Sequence, residues 1–227
     1  MPNYQLLNVQ EHQKLRVRPP TQFEPHFVQI VVGEFSVAAT SSPIMFTKDP
    51  ATGSFFAGAV LSLKPGEPPL KDATERGGFT PFAQQFNGFF ISDQNIAIDR
   101  DNPRFSETEG ELLFTDSQQP GDYLRQVQSS LGKFHAGLQA TTALIQLLTE
   151  LKLIEPVDMT LSFDNGERLE LQGLYTVSLD SLREIDDAAA LRMFRSGQLE
   201  LADTVAASLK QFGFLAHLRN RQLSAST

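Results

Sequence analysis

Cysteine is absent from the 227 residues, and so is tryptophan. The first absence removes disulfides, thiol nucleophiles, thiolate zinc sites and iron–sulfur clusters together, and it fits a reducing compartment. The second leaves aromatic burial to 18 Phe and three Tyr. Histidine is scarce as well. His12, His26, His135 and His217 form no H-E-x-x-H, H-x-H or H-x-D/E pair. A His-based metal site would have to be assembled from distant segments, so no metal or other cofactor is expected. Positive charge is in deficit, with 19 Lys and Arg against 27 Asp and Glu, a net charge of −8. A general nucleic-acid binder needs the opposite balance to neutralise phosphates. The small basic clusters Lys14/Arg16/Arg18 and Arg219/Arg221 read as solvated surface. No stretch approaches the ~18 apolar residues of a membrane span. The first eight residues lack the basic start and apolar run of a signal peptide. A soluble, cytoplasmic protein without membrane insertion is the expectation.

What is present divides by hydrophobic period. Residues 1–27 read as an N-terminal arm, punctuated by Pro19, Pro20 and Pro25 and without a clear period. Residues 28–32, 36–40, 44–47 and 54–63 read as strands, with a turn at 49–53 and a Pro/Gly-rich loop over 64–78. Residues 96–99 and 111–114 read as further short strands. The strongest helical signal runs over 120–155. Leu124, Val127, Leu131, Phe134, Leu138, Thr141, Ile145 and Leu148 fall on one face, Pro156 stops the run, and Gly137 marks a place for a kink or break. Residues 159–163 and 168–171 form a hairpin across Asp164-Asn165-Gly166, where Asn-Gly suits positive φ at both central positions. Ser181-Leu-Arg-Glu184 is a capping-box pattern ahead of a helix over 186–196, and 199–222 reads as one more helix. The fold class is α+β: one domain, with a mainly antiparallel N-terminal β-sheet, one long central helix, and a C-terminal hairpin plus helices. The arm is 1–27, the domain 28–223 and the tail 224–227.

Chemistry-bearing motifs are few. Ser130-Leu-Gly-Lys133 matches S-x-x-K, in which a lysine activates a serine, but the S-D-N and K-T-G partners are missing and both residues lie in an amphipathic helix. No G-x-S-x-G, P-loop or dinucleotide-binding glycine pattern occurs. No catalytic residue is assigned. The segment 79–90 stands out: Phe79, Phe82, Phe86 and Phe89/Phe90 recur at helical spacing, with Pro81 at the start and Asn87-Gly88 at the end. As core, each ring contributes roughly 1.5–3 kcal/mol on burial. As surface, the rings would line a groove for a partner. The candidate binding residues are Phe79, Pro81, Phe82, Gln85, Phe86, Phe89 and Asp99, the last because it ends an apolar strand beside this segment.

The order of segments resembles the SapC family of bacterial proteins over roughly residues 28–223. Glu34-Phe35 followed by Ser42-Pro-Ile-Met-Phe46 is similar to its Tyr-Pro-Ile-like segment. Ile96 to Asp99, Leu113-Phe114, Leu151-Lys-Leu-Ile-Glu-Pro156, Leu174-Tyr-Thr-Val177, Leu182 and Arg195-Ser-Gly-Gln-Leu199 also follow the pattern. The aromatic segment departs from it. The family often has Tyr-Val-Pro and Arg-Arg-Tyr-Pro-Phe, where this chain has Phe79-Thr-Pro81 and Gln85-Phe-Asn-Gly-Phe89. The resemblance implies a link to outer-membrane receptors and peptide-modification systems. It carries no mechanism, since a fold does not fix a function. The expectation is a non-catalytic binding or accessory protein for a peptide or protein partner. The alternatives are an enzyme with a site assembled from scattered residues, and a surface-layer structural protein.

Overall fold

The computed structural model describes residues 3–19, 25–67, 79–93 and 95–225. The loop expected over 64–78 therefore lies largely outside the described residues, as do residues 20–24 of the arm and 226–227 of the tail. The fold class is α+β, with antiparallel strands throughout and one long helix. The chain forms two compact units, one from residues 1–24 and 82–136 and the other from 25–81 and 137–227. The helix Asp122–Glu150 gives its first half to one and its second half to the other.

In the first unit the arm is built into the sheets. Tyr4–Leu6 pairs with Asn95–Asp99, which pairs in turn with Phe89–Ser92. Arg16–Val17 is the middle strand between Phe105–Ser106 and Glu111–Leu112. These arm strands are two or three residues long, too short to show a period in sequence. Gly110 closes the second sheet. Its φ is 102°, and a Cβ there would stand 2.2 Å from the Val17 carbonyl oxygen, so only glycine fits. Leu15, Val17, Phe89, Ile98, Phe105, Leu113, Leu124, Val127 and Leu131 fill the interior.

In the second unit five strands run in the order Ile154–Pro156, Tyr175–Val177, Ile44–Lys48, Phe55–Val60, Phe27–Gln29. The turn at 49–53 forms as expected, because Asp49 Oδ1 accepts from the Ala51 and Thr52 amides at 3.0 and 2.8 Å. Residues 36–40 are not a strand. Val32–Glu34 is a 3₁₀ turn leading into the helix Phe35–Ala38. The Glu34 carboxylate holds the Val31 amide at 3.1 Å, and Phe35 and Ala38 bury the same helical face at i, i+3.

Three further expectations change in detail. In the 159–171 hairpin only Gly166 takes positive φ. Gly166 N–H donates to Phe163 O at 2.9 Å and Phe163 N–H to Glu167 O at 2.9 Å, a three-residue loop rather than a two-residue one. Ser178 and Asp186, not Ser181, cap the helices Leu179–Arg183 and Asp187–Arg195. The helix over 199–222 is two, Gln198–Ser208 and Gln211–Ala225. Tighter i→i−3 bonds, Leu209 N–H to Ala206 O and Phe212 N–H to Leu209 O, separate them.

The long helix does not break at Gly137. A Cβ there would meet Val31 Cγ2 at 2.6 Å, so the glycine admits the valine rather than bending the helix. Thr141 secures the same contact, accepting from the Val32 amide at 3.0 Å and donating to Gly137 O at 2.7 Å.

Candidate functional site

The aromatic segment is one helical turn, Phe82–Gln85, followed by the strand Phe89–Ser92. The helix expected over 79–90 is therefore shorter. It ends at Gly88, whose φ of 86° no β-substituted residue takes cheaply. Phe79 is half-buried and Pro81 buried, and both belong to the second unit. The rest of the segment lies in the first unit, where Phe82, Phe86 and Phe89 face the long helix and the core while Phe90 is exposed. The Lys133 ammonium sits 5.8 Å from the Phe82 ring centroid. Phe86 meets Phe134 edge-on at 5.3 Å, and buried Phe89 meets Phe105 edge-on at 5.1 Å.

Polar bonds hold the turn. Gln85 Oε1 accepts from the Ser130 hydroxyl at 2.6 Å, and Gln85 O accepts from the Tyr123 hydroxyl at 2.9 Å. Arg104, 2 % exposed, donates to the Tyr123 hydroxyl, to Asn87 O at 3.0 Å and to Arg18 O at 3.4 Å. Ser130 and Lys133 thus point to different partners, Gln85 and Phe82, and not to each other. Asp99 serves its own corner: its Oδ1 accepts from the Asn3 amide at 3.1 Å and the Asp101 amide at 3.3 Å.

One exposed apolar patch lies on the outer face of the three-stranded sheet; Val37, Leu191 and Phe194 are exposed in the second unit. Opposed residues share a face, so Leu6, Ala97 and Phe90 stand in one row and Tyr4 lies beside them. Tyr4 is 59 % exposed, Leu6 54 % and Phe90 40 %. Tyr4 and Phe90 meet edge-on at 5.1 Å. Neither Tyr4 nor Leu6 stands out in the sequence, because their strand has only three residues. The one available signal was the alternation Tyr4-Gln5-Leu6.

A separate polar cavity of about 280 Å³ opens beside the helix Val9–His12. Among the described residues no group of three or more His, Asp or Glu side chains could hold a metal ion. None of the described helices is long and apolar enough to cross a membrane.

A family model described as SapC matches residues 7–215. The chain belongs to the SapC family. No curated protein and no solved structure matches it. The match to the SapC model takes in the strand Arg16–Val17 and the helix Val9–His12 as well as residues 28–215, and ends short of the 223 expected from the resemblance.

Proposed function

We propose that this SapC-family protein is a non-catalytic binding module that takes up an extended apolar segment of a peptide or protein partner. The strand Tyr4–Leu6 supports this reading. Leu7 N–H donates to Ile96 O at 2.8 Å and Arg100 N–H to Asn3 O at 2.9 Å. Antiparallel pairing alternates, so Asn3, Gln5 and Leu7 bond inward, and the N–H and C=O groups of Tyr4 and Leu6 point off the sheet. The Leu6 carbonyl already accepts from Asn8 Nδ2 at 3.4 Å, and the remaining outward groups, the Tyr4 N–H and C=O and the Leu6 N–H, are a template for one more strand. The exposed side chains of Tyr4 and Leu6 flank that edge and give such a strand apolar neighbours, and Phe90 backs the Tyr4 ring edge-on. In this reading the protein works in the cytoplasm, without nucleic acid, and the resemblance directs the search toward segments of outer-membrane receptors and modified peptides.

Fluorescence anisotropy with labelled peptides alternating Val or Phe with Thr tests it. Saturable binding is expected, weakened at least about tenfold by Leu6→Asp or Tyr4→Asp. Methylation of alternate peptide nitrogens should abolish it. Equal binding of the methylated peptide, or no effect of either variant, would sink the proposal.

A further inference from the structure

The cavity beside Val9–His12 is lined by Gln5, Gln10, Glu11, His12, Gln13, Lys14, Leu15, Arg100 and Glu107. Its floor is fixed. His12 is 4 % exposed and Leu15 2 %. The imidazole is held at both nitrogens, Nδ1 receiving the Asn8 amide at 3.2 Å and Nε2 lying 3.3 Å from Gln5 Oε1. One wall is the Arg100–Glu107 ion pair, at 2.8 Å. The rim carries Glu11 and Lys14, three residues apart across the end of the helix and therefore on neighbouring turns. Asn8 Nδ2 donates to Glu11 Oε2 at 3.1 Å, which steadies that carboxylate. The Lys14 ammonium has no hydrogen bond or ion pair among the described residues.

Charge and size narrow the ligand. Two carboxylates face one ammonium and one guanidinium, so the lining is neutral as a whole but carries both signs close together. A simple anion would meet Glu11 and Glu107, and a simple cation would meet Lys14 and Arg100. A molecule with one charge of each sign satisfies both rim groups at once. The volume lies just below the ~300–1,000 Å³ of drug-sized sites, which suits a molecule of amino-acid size. The carboxamides of Gln5, Gln10 and Gln13 add donors and acceptors for a polar side chain.

We propose that this cavity binds a free α-amino acid with a short polar side chain, its ammonium at Glu11 and its carboxylate at Lys14. This site is separate from the proposed strand-docking edge. Gln5 faces the cavity, while Tyr4 and Leu6 stand on the opposite side of the same strand.

NMR titration of the full chain with L-glutamine tests the proposal. N-acetyl-L-glutamine amide serves as the uncharged probe, and D-glucose as the polar uncharged control. Saturable shifts of the Gln5 and Gln13 side-chain amides and the His12 ring are expected with L-glutamine, and none with the other two. Glu11→Gln and Lys14→Met should each weaken binding at least about tenfold. Both side chains are exposed, so both variants should keep the wild-type Tm. No saturable shift with L-glutamine would overturn the proposal. So would an equal response to the blocked probe or to glucose, or unchanged affinity in both variants.

Discussion

The Tyr123 hydroxyl donates to the main-chain oxygen of Gln85 at 2.9 Å while receiving a guanidinium N–H from buried Arg104. One phenol oxygen thereby closes the turn that starts the aromatic segment. The guanidinium has no carboxylate among the described residues; it is satisfied by two carbonyls and this hydroxyl. Tyr123→Phe keeps the ring against Phe89, 6.3 Å away between centroids, but strands a guanidinium N–H of buried Arg104. An unsatisfied buried group costs about 1–3 kcal/mol. Denaturant unfolding should show a loss in that range. A loss below about 0.5 kcal/mol would mean that water replaces the hydroxyl.

Gly132 and Gly137 sit in the same helix and should respond in opposite senses to alanine. Glycine inside a helix costs about 1 kcal/mol relative to alanine. A Cβ at Gly132 meets nothing within 4 Å, so Gly132→Ala should stabilise by about that amount. At Gly137 the added carbon lands 2.6 Å from Val31 Cγ2. Overpacking costs ~1–3 kcal/mol and outweighs the helix gain. Gly137→Ala should therefore destabilise, and Val31→Ala in the same chain should relieve the clash only in part, because the Val31 Cβ, 2.7 Å from the added carbon, stays in place. Thermal unfolding of the three variants checks the pattern; equal gains at both glycines would contradict it.

These two glycines also show what could be read in the sequence. The stripe from Leu124 to Leu148 predicted the long helix correctly, because a repeat sustained over many turns is a strong signal. Gly137 read as a kink because its reason, the Val31 side chain, lies more than a hundred residues away in sequence. The helix Phe35–Ala38 read as a strand because four apolar-rich residues fit either period. The α+β class and the family order were legible; the apolar face was only half so. Phe90 lay within the segment singled out, but its neighbours Tyr4 and Leu6 come from a strand too short to announce itself. The sequence spacing of the phenylalanines suggested one surface, whereas the switch from helix to strand at Gly88 sends Phe89 inward and Phe90 outward.

Ser208 is fully buried at the end of Gln198–Ser208 and serves two elements. Its hydroxyl accepts from the Ile44 amide at 2.8 Å and lies 2.6 Å from Val205 O as donor. The Ile44 amide opens the strand Ile44–Lys48, so the serine ties that strand to the helix end. Ser208→Ala leaves the amide orphaned and should cost about 1–3 kcal/mol in denaturant unfolding. Amide hydrogen exchange at Ile44 should quicken in the same variant, and unchanged exchange would show that the bond is not made in solution.

Acid stability should depend on Glu167. Its carboxyl is held below the ordinary value of 4.5, chiefly by the hydrogen bond from the Lys64 ammonium and further by the Arg219 guanidinium, whose Nη2 lies 3.0 Å from Oε2. Partial loss of water opposes this shift without cancelling it. A carboxyl with a lowered folded-state pKa binds its proton more readily in the unfolded chain. Its contribution is therefore full above pH 4.5 and fades as the pH falls through the lowered folded value. Glu167→Gln removes that contribution at every pH. The Tm gap between wild type and variant should thus be widest near neutrality and narrow steadily below pH 4.5. Arg219 keeps Glu67, at 2.6 Å, in the variant, so its buried charge is not left alone. A gap that stayed constant from neutral to strongly acid pH would show that Glu167 acts through packing and not through its charge.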